Sequence, residues 1–208
     1  MLILALLLNL SPVFAITEKP EAPPCSYSNP NYYITSRYYE GADRIWCIEM
    51  RETTENYSEN LLENLENKCK DERAVLTGFQ NKTEFMEAYN MFIANFDYVR
   101  DTKPMIIIGA QRKEQCKAVF KPQCSKSKGN KWTDGFTKGT RFFEEIGTFG
   151  KEQPETNNGN KMCLGVWTKD LKVYSYNCNK SERNRPAELF MCGKRGSDWK
   201  NSKGNTVY

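Results

Sequence analysis

The segment from Trp132 to Cys192 decides the fold of this chain. It contains, in order, Trp132-Thr133-Asp134-Gly135, Gln153-Pro154-Glu155, Cys163, Cys178, Phe190-Met191 and Cys192. Each of these motifs is short and weakly informative by itself. Their order and spacing within one segment are fairly specific, and the rest of the sequence is interpreted from them outward.

In that order and spacing the segment resembles the C-terminal half of a C-type lectin-like domain. In that family a Trp-x-Asp-Gly strand leads into a long loop with a Glu-Pro-Asn or Gln-Pro-Asp tripeptide. Two cysteines close the loop, and a last cysteine ties the final strand to the first helix. The resemblance therefore implies an α+β fold, with two helices packed on short antiparallel sheets and a long disulfide-closed loop. It also implies the bridges Cys69–Cys192 and Cys163–Cys178.

Hydropathy and composition give the domain layout. Residues 1–15 form a short apolar run with small residues at Val13 and Ala15, which predicts a signal peptide cleaved after Ala15. Residues 16–46 are expected to form an N-terminal extension, residues 47–194 the lectin-like domain, and residues 195–208 a disordered tail. No later apolar stretch reaches membrane-spanning length, so we expect a secreted, extracellular protein without a membrane span.

The 8 cysteines are an even number in a chain with a secretory leader, so we expect disulfides rather than metal thiolates or a catalytic thiol. Spacing alone does not choose among the possible pairings. A resemblance to N-terminally extended family members implies a hairpin closed by Cys25–Cys47. Cys116 and Cys124 lie in an insertion that resembles one in secreted invertebrate members, where a local Cys116–Cys124 bridge is the economical pairing. Beyond the predicted signal peptide, three sequons agree with a secreted glycoprotein: Asn56, Asn81 and Asn179.

Apolar periodicity predicts two helices ahead of the deciding segment. Leu61, Leu65 and Cys69 recur every four residues and form one apolar stripe over residues 58–71. Asn81, with Glu84 three residues later, is typical of a helix N-cap. The second helix is expected to place five large side chains in the core: Phe85, Tyr89, Phe92, Ile93 and Phe96. Short strands are expected at residues 74–76 and 105–108.

The composition argues against an enzyme. The chain has His 0, which removes the Ser-His-Asp and Cys-His nucleophile systems, histidine zinc sites and the usual general base. It has no Walker-type phosphate loop and no Gly-x-Ser-x-Gly elbow. The formal net charge is only +4 with interleaved signs, so no nucleic-acid surface is expected. We expect a binding protein whose partner is a glycan or an extracellular protein, with the oligomeric state left open.

The resemblance also implies a calcium site in the long loop, whose ligand positions can be compared one by one. Gln153 and Pro154 match the Gln-Pro-Asp variant, and Glu155 replaces the aspartate with a longer carboxylate. Lys161 stands where the family has a glutamate, and an ammonium group has no lone pair for a metal. The Trp-Asn-Asp positions hold Val173, Tyr174 and Ser175. Gln153 and Glu155 are thus the remnant of a metal site, at which calcium is conceivable but not expected.

Lys161 suggests a replacement for the metal. Its ammonium group is expected to pair with Glu155, with Gln153 as a further partner, and so to neutralise the loop without calcium. The alternative is that Lys161 points into water and the loop is loose. Asp170 and Asn177 are the nearest other oxygen donors, and neither restores the usual ligand spacing.

The resemblance therefore implies a secreted lectin-like protein with a degenerate sugar site. Its candidate carbohydrate-binding residues are Gln153, Glu155, Lys161 and Trp167. The alternatives on the same fold are a calcium-independent module that recognises protein or lipid, and a structural extracellular component. Trp132 is expected to be a buried plug beneath the long loop. Trp167 is the better candidate for an exposed aromatic, although core packing is the main expectation for it as well.

Overall fold

One sheet of eight strands, with helices packed against it, forms the part of the chain that the structure describes. This computed structural model describes Cys25, residues 32–39, 41–53 and 59–116, Cys124, and residues 126–146 and 162–196. The strands are β1 (Tyr33–Tyr39), β2 (Ala42–Glu52), β3 (Val75–Leu76), β4 (Met105–Arg112), β5 (Asn130–Trp132), β6 (Cys163–Trp167), β7 (Lys172–Tyr176) and β8 (Ala187–Arg195). The helices are α1 (Leu61–Asp71), α2 (Lys82–Ile93), α3 (Val99–Thr102) and α4 (Arg141–Glu145).

The sheet is built around β8. Its strand order is β1-β2-β8-β4-β6-β7, with β3 paired to β8 and β5 paired to β4. The central strands β4 and β8 are buried along most of their length, as expected for strands covered on both faces. The predicted α+β architecture is confirmed. It differs from the expectation of separate antiparallel sheets in one respect: β8 enters between β2 and β4, which joins the strands into one sheet and makes β4–β8 a parallel pair.

Helix α1 carries the apolar stripe that the sequence predicts. Leu61, Leu65 and Cys69 are all buried. The helix begins at Leu61 rather than at residue 58, because Asn60 has a left-handed backbone conformation (φ 53°) that interrupts a right-handed helix. The stripe places Cys69 against β8, where it is bonded to Cys192.

Helix α2 begins with the predicted cap. The Oδ1 atom of Asn81 accepts a hydrogen bond from the Glu84 backbone N–H at 2.8 Å. Phe85 and Phe92 are buried, and the remaining three predicted core side chains of this region are partly buried and pack on the same core. No helix in the described ranges is long and apolar enough to cross a bilayer.

The structure contains four disulfides, which are the pairs predicted: Cys25–Cys47, Cys69–Cys192, Cys116–Cys124 and Cys163–Cys178. The Cys69–Cys192 bridge joins residues separated by 123 positions. In the chain-entropy model a bridge over that length stabilises the fold by ~5 kcal/mol, through restriction of the unfolded chain. The two ends of the domain are therefore held together covalently.

The N-terminal hairpin is part of the domain sheet. β2 pairs with β1 on one side and with β8 on the other, from Trp46 opposite Arg195 to Glu52 opposite Leu189. The proposed boundary between residues 46 and 47 lies within β2, and the division of the chain into an extension and a domain stays a prediction. β8 also continues through Arg195, the first residue of the proposed tail. The proposed signal peptide and residues 197–208 lie outside the described residues.

A buried arginine connects β1 to the rest of the core. The Arg37 side chain is only 2% exposed, and it is paired with Glu84 at 2.8 Å (Nε–Oε1) and 3.1 Å (Nη2–Oε2). Its Nη2 also donates to the Gly78 carbonyl at 2.8 Å. Glu84 in turn accepts the Gln80 backbone N–H at 2.7 Å. This fork-to-fork geometry satisfies both charged groups, which is the condition under which a buried ion pair is tolerated.

Asp134 of the Trp-x-Asp-Gly motif completes this buried network. Its Oδ2 accepts the Gly78 backbone N–H at 2.7 Å and lies 3.9 Å from Arg37 Nη1. Its Oδ1 accepts the backbone N–H groups of Phe136 and Thr137 at 3.0 and 2.9 Å. The motif aspartate therefore closes its own turn and fastens that turn to the segment after β3.

Replacement of Arg37 by leucine is expected to lower the free energy of unfolding by about 3–5 kcal/mol, because it leaves two buried carboxylates without their cation. Chemical denaturation at neutral pH measures this loss. The control is Arg141→Leu, which removes an arginine that pairs with Glu145 on the exposed side of α4. A surface pair of that kind contributes little, so an equal loss in both variants would contradict the assigned role of Arg37.

Candidate functional site

The site predicted in the long loop is described only at its base. Gln153, Glu155 and Lys161 lie outside the described residues, so the pairing of Lys161 with Glu155 stays a prediction. The described part comprises β6, β7 and the segment of residues 177–186 that leads to β8. Cys163 at the start of β6 is bonded to Cys178 just after β7, which fixes both strand ends at the base of the loop.

The positions on β7 that would correspond to a Trp-Asn-Asp calcium motif belong to the core. Val173 is 1% exposed and packs in the main core cluster. Tyr174 packs in a second cluster with α1 and β8, and Ser175 is buried as well. These residues bring no carboxylate to the strand, whereas calcium requires six to eight oxygens with several from carboxylates. The described residues therefore do not fit the calcium site that the resemblance implies.

The two nearest substitute ligands are engaged in local hydrogen bonds. Asp170 accepts the Lys172 backbone N–H with Oδ1 at 3.1 Å and the Tyr174 hydroxyl with Oδ2 at 2.7 Å. Asn177 accepts the Asn179 backbone N–H with Oδ1 at 2.8 Å. Each side chain closes a turn of its own, at opposite ends of β7. In the described ranges, no group of three or more His, Cys, Asp or Glu side chains is placed to hold a metal ion.

Aromatic and cationic side chains form a cluster around the β6–β7 turn. We call it the Trp167 cluster; it comprises Trp167, Lys169, Asp170, Tyr174 and Arg185. The Trp167 and Tyr174 rings meet edge to face with centroids 5.5 Å apart. The Lys169 Nζ lies 5.0 Å from the Trp167 ring centroid, and the Arg185 guanidinium lies 5.1 Å from that of Tyr174. Such distances are within the range of cation–π attraction.

Trp167 is anchored at a partly exposed position. It is half-buried, and its Nε1 donates to the Lys103 carbonyl at 2.6 Å. A fixed indole with an accessible part can stack on an apolar surface of a ligand at low entropic cost. Among the four candidate carbohydrate-binding residues, this is the one that the structure describes. Lys169 and Arg185 were missed, because nothing in their sequence neighbourhood indicates that they meet these two rings.

Electrostatics within the cluster oppose ionisation of Tyr174. Burial, the hydrogen bond to Asp170 and the negative charge of that carboxylate raise the pKa of Tyr174 to about 12, with Arg185 acting in the opposite direction. The phenol therefore remains a hydrogen-bond donor over the whole physiological pH range. Its donation to Asp170 holds the carboxylate against the end of the sheet.

Trp132 is half-buried, where full burial was expected. β5 is only three residues long and pairs with β4, so the indole lies at the margin of the core. Its ring stacks on Phe143 at 4.5 Å, and its Nε1 donates to the Gly139 carbonyl at 2.9 Å. A Cβ atom on Gly78 would come within 2.4 Å of the indole, so the chain passes the ring at a distance that only glycine permits. These contacts support packing rather than a sugar-stacking platform.

The described sequons differ in their surroundings. Asn81 uses its Oδ1 to cap α2. Asn179 is exposed in the turn after Cys178, and its carbonyl accepts the first backbone N–H of α1 at 2.9 Å. Asn56 lies outside the described residues. Glycosylation at all three stays a prediction.

Comparison with known proteins gives matches to solved structures alone. No family model matches the sequence, and no curated protein matches it. A Ca2+-dependent type II antifreeze protein in its Ca2+-free form is similar with TM-score 0.46 and 12% identity over 80% of this chain and 98% of that chain. A calcium-independent type II antifreeze protein is similar with TM-score 0.44 and 13% identity, over 82% of this chain and 95% of that chain. The mouse scavenger receptor C-type lectin carbohydrate-recognition domain is similar with TM-score 0.44 and 15% identity, over 80% of this chain and 94% of that domain. At these identities and TM-scores the likeness specifies no ligand and no site residue.

Asp170→Asn is expected to lower the pKa of Tyr174 from about 12, because the substitution removes the charge and the acceptor that oppose ionisation. The folded-state pKa of Tyr174 lies above the value of 10 in the unfolded chain, so its contribution to stability is complete below pH 10 and is lost as the pH rises towards about 12. Chemical shifts of the Tyr174 ring during an alkaline titration measure the change. Asp101→Asn on α3 is the matched control, and an unchanged Tyr174 pKa in Asp170→Asn would contradict the assigned interaction.

Proposed function

We propose that this chain is a secreted, extracellular binding protein of the C-type lectin-like kind that recognises its ligand without calcium. The observation that carries the proposal is the burial of Val173, Tyr174 and Ser175 at the strand positions where a calcium-dependent lectin would need an amide and a carboxylate. The four disulfides agree with an oxidising, extracellular environment. The absence of histidine from the sequence favours binding over catalysis.

Recruitment of Asp170 as a substitute ligand would cost existing interactions. Its carboxylate would have to leave the Tyr174 hydroxyl and the Lys172 backbone N–H. The Tyr174 phenol would then lose its partner at a mostly buried position, which is unfavourable. The Asp170 carboxylate and the Tyr174 hydroxyl are therefore satisfied by groups of this chain without a metal ion.

A glycan is the ligand class that the family resemblance favours. The Trp167 cluster offers the chemistry for it: a fixed, partly exposed indole for an apolar sugar surface, with the Lys169 ammonium group over the ring as a hydrogen-bond donor. An extracellular protein or a lipid is the alternative ligand on the same fold. Binding of isolated glycans distinguishes a glycan ligand from a protein or lipid ligand.

A glycan array probed with the secreted chain, once with calcium and once with a chelator, tests the proposal. We expect the same glycans to bind in both conditions. Lys169→Ala is expected to weaken that binding, while Lys131→Ala, an equally exposed lysine on β5, is expected to leave it unchanged. Binding that disappears with the chelator would contradict calcium independence. An array without any bound glycan would favour the protein or lipid alternative.

Calcium at millimolar concentration is expected to release no heat of binding and to leave the melting temperature unchanged, because the β7 positions supply no carboxylate for the metal. Isothermal titration and thermal unfolding of the same preparation check this. Magnesium at equal concentration controls for unspecific ionic effects. A rise in melting temperature with calcium but not with magnesium would mean that other residues of the chain supply the calcium ligands. The proposal that this site works without calcium would then be wrong.

A further inference from the structure

The Trp167 cluster lies at the turn end of the β6–β7 hairpin, away from the base of the long loop. In the antiparallel pairing of these strands, Cys163 is opposite Tyr176 at one end and Trp167 is opposite Lys172 at the other. The Cys163–Cys178 bridge marks the loop end. An extended strand rises about 3.3 Å per residue, so Trp167 is about 13 Å from Cys163 along β6. A sugar ring packed on Trp167 would therefore lie apart from the base of the long loop.

The turn that carries the cluster is fixed to the body of the domain. Thr168 donates its backbone N–H and its hydroxyl to the Pro104 carbonyl, at 3.1 and 2.9 Å. Leu171, which has a left-handed backbone (φ 54°), donates its N–H to the Trp167 carbonyl at 2.8 Å. The indole itself donates to the Lys103 carbonyl at 2.6 Å. The site is therefore ordered before a ligand arrives, which lowers the entropic cost of binding.

The carboxylates of this region are matched by other groups of the chain. Asp170 accepts the Tyr174 hydroxyl at 2.7 Å and the Lys172 backbone N–H at 3.1 Å. Glu182 pairs with Arg185 at 2.8 Å (Oε2–Nη2). The Arg185 guanidinium, which lies over the Tyr174 ring, is thus neutralised by its own acidic partner. Neither carboxylate forms an ion pair with a lysine of the cluster.

Two lysines lie beside the indole without an acidic partner among the described residues. Lys169 is exposed, with its Nζ 5.0 Å from the Trp167 ring centroid. Lys172 is directly opposite Trp167 on the neighbouring strand, a position at which facing Cβ atoms are roughly 5 Å apart. Neither lysine forms an ion pair with a carboxylate that the structure describes. The surroundings of the indole therefore carry an excess of positive charge.

We propose that the ligand of the Trp167 cluster is a glycan with an acidic group, a sulfate ester or a carboxylate, next to the sugar ring that packs on Trp167. This inference rests on the proposed function, calcium-independent glycan binding, and names the class of glycan. The sugar packs on the partly exposed indole, and its acidic group accepts hydrogen bonds from the ammonium groups of Lys169 and Lys172.

The preference for an acidic over a neutral glycan follows from the unpaired lysines. An ammonium group has three donors and no acceptor, so contact with the indole face leaves donors of Lys169 available. A neutral hydroxyl offers such a donor little more than water does. A sulfate or carboxylate forms a charge-assisted hydrogen bond, which is roughly twice as strong as a neutral one.

An array that presents the same oligosaccharides in neutral, sulfated and sialylated form tests this inference on the secreted full chain. We expect at least one acidic form to bind roughly tenfold more tightly than its neutral counterpart, the factor that one charge-assisted hydrogen bond supplies. The sulfated and sialylated arms show which acidic group is recognised. Equal binding of neutral and acidic forms would overturn this inference and leave the proposed function intact, whereas an array without any bound glycan would contradict both.

Two variants and a control locate the acidic group at the cluster. Lys169→Glu and Lys172→Gln are each expected to weaken binding of the acidic glycan roughly tenfold. Lys131→Glu on β5 changes the net charge as much as Lys169→Glu does, at another exposed lysine, and is expected to leave binding unchanged. Unchanged melting temperatures show that the variants are folded. Full affinity in either cluster variant, or an equal loss in Lys131→Glu, would overturn the inference.

Discussion

The buried ion pair between Arg37 and Glu84 is the interaction on which the arrangement of this molecule depends. It joins β1 to the first turn of α2, and through the Gly78 carbonyl it reaches the segment between β3 and that helix. Asp134 brings in the Trp-x-Asp-Gly turn from the far part of the sequence. A charge taken out of water has to be matched in geometry as well as in sign. The hairpin, the second helix and the motif turn therefore have one mutual position in which all these groups are satisfied.

This scaffold also positions the base of the long loop. The Cys163–Cys178 bridge holds the ends of β6 and β7, and the side chains of β7 fill the core between them. Within the Trp167 cluster, the Asp170 carboxylate accepts a hydrogen bond from the Tyr174 hydroxyl four residues later, which fixes the position of its negative charge. A covalent bond and apolar packing therefore order the strand ends at the base of the loop.

Local features of the sequence predicted the local structure well. The spacing of Leu61, Leu65 and Cys69 fixes a helix face whatever that helix packs against, and Asn81 followed by Glu84 marks a helix start from two residues alone. The disulfide pairs came from the family resemblance, which supplies long-range information that periodicity lacks. Arg37 could not be predicted to be buried, because its partners lie far away in sequence. The contact of Arg185 with Tyr174 and the parallel pairing of β4 with β8 escaped prediction for the same reason. The long loop itself, with Gln153, Glu155 and Lys161, lies outside the described residues.

The position of β8 has a consequence for how this protein must be made. It lies between β2 and β4, in the interior of the sheet, yet among the strands that the structure describes it is the last to be synthesised. Until it emerges from the ribosome, β2 and β4 have unpaired edges and Cys69 has no native partner. A nascent chain can close its N-terminal hairpin and begin its helices during translation, but the central sheet cannot be completed until β8 has emerged. Products truncated before Ala187 would retain a reactive thiol at Cys69 and open strand edges. Protein quality control could recognise both features as marks of an unfinished chain.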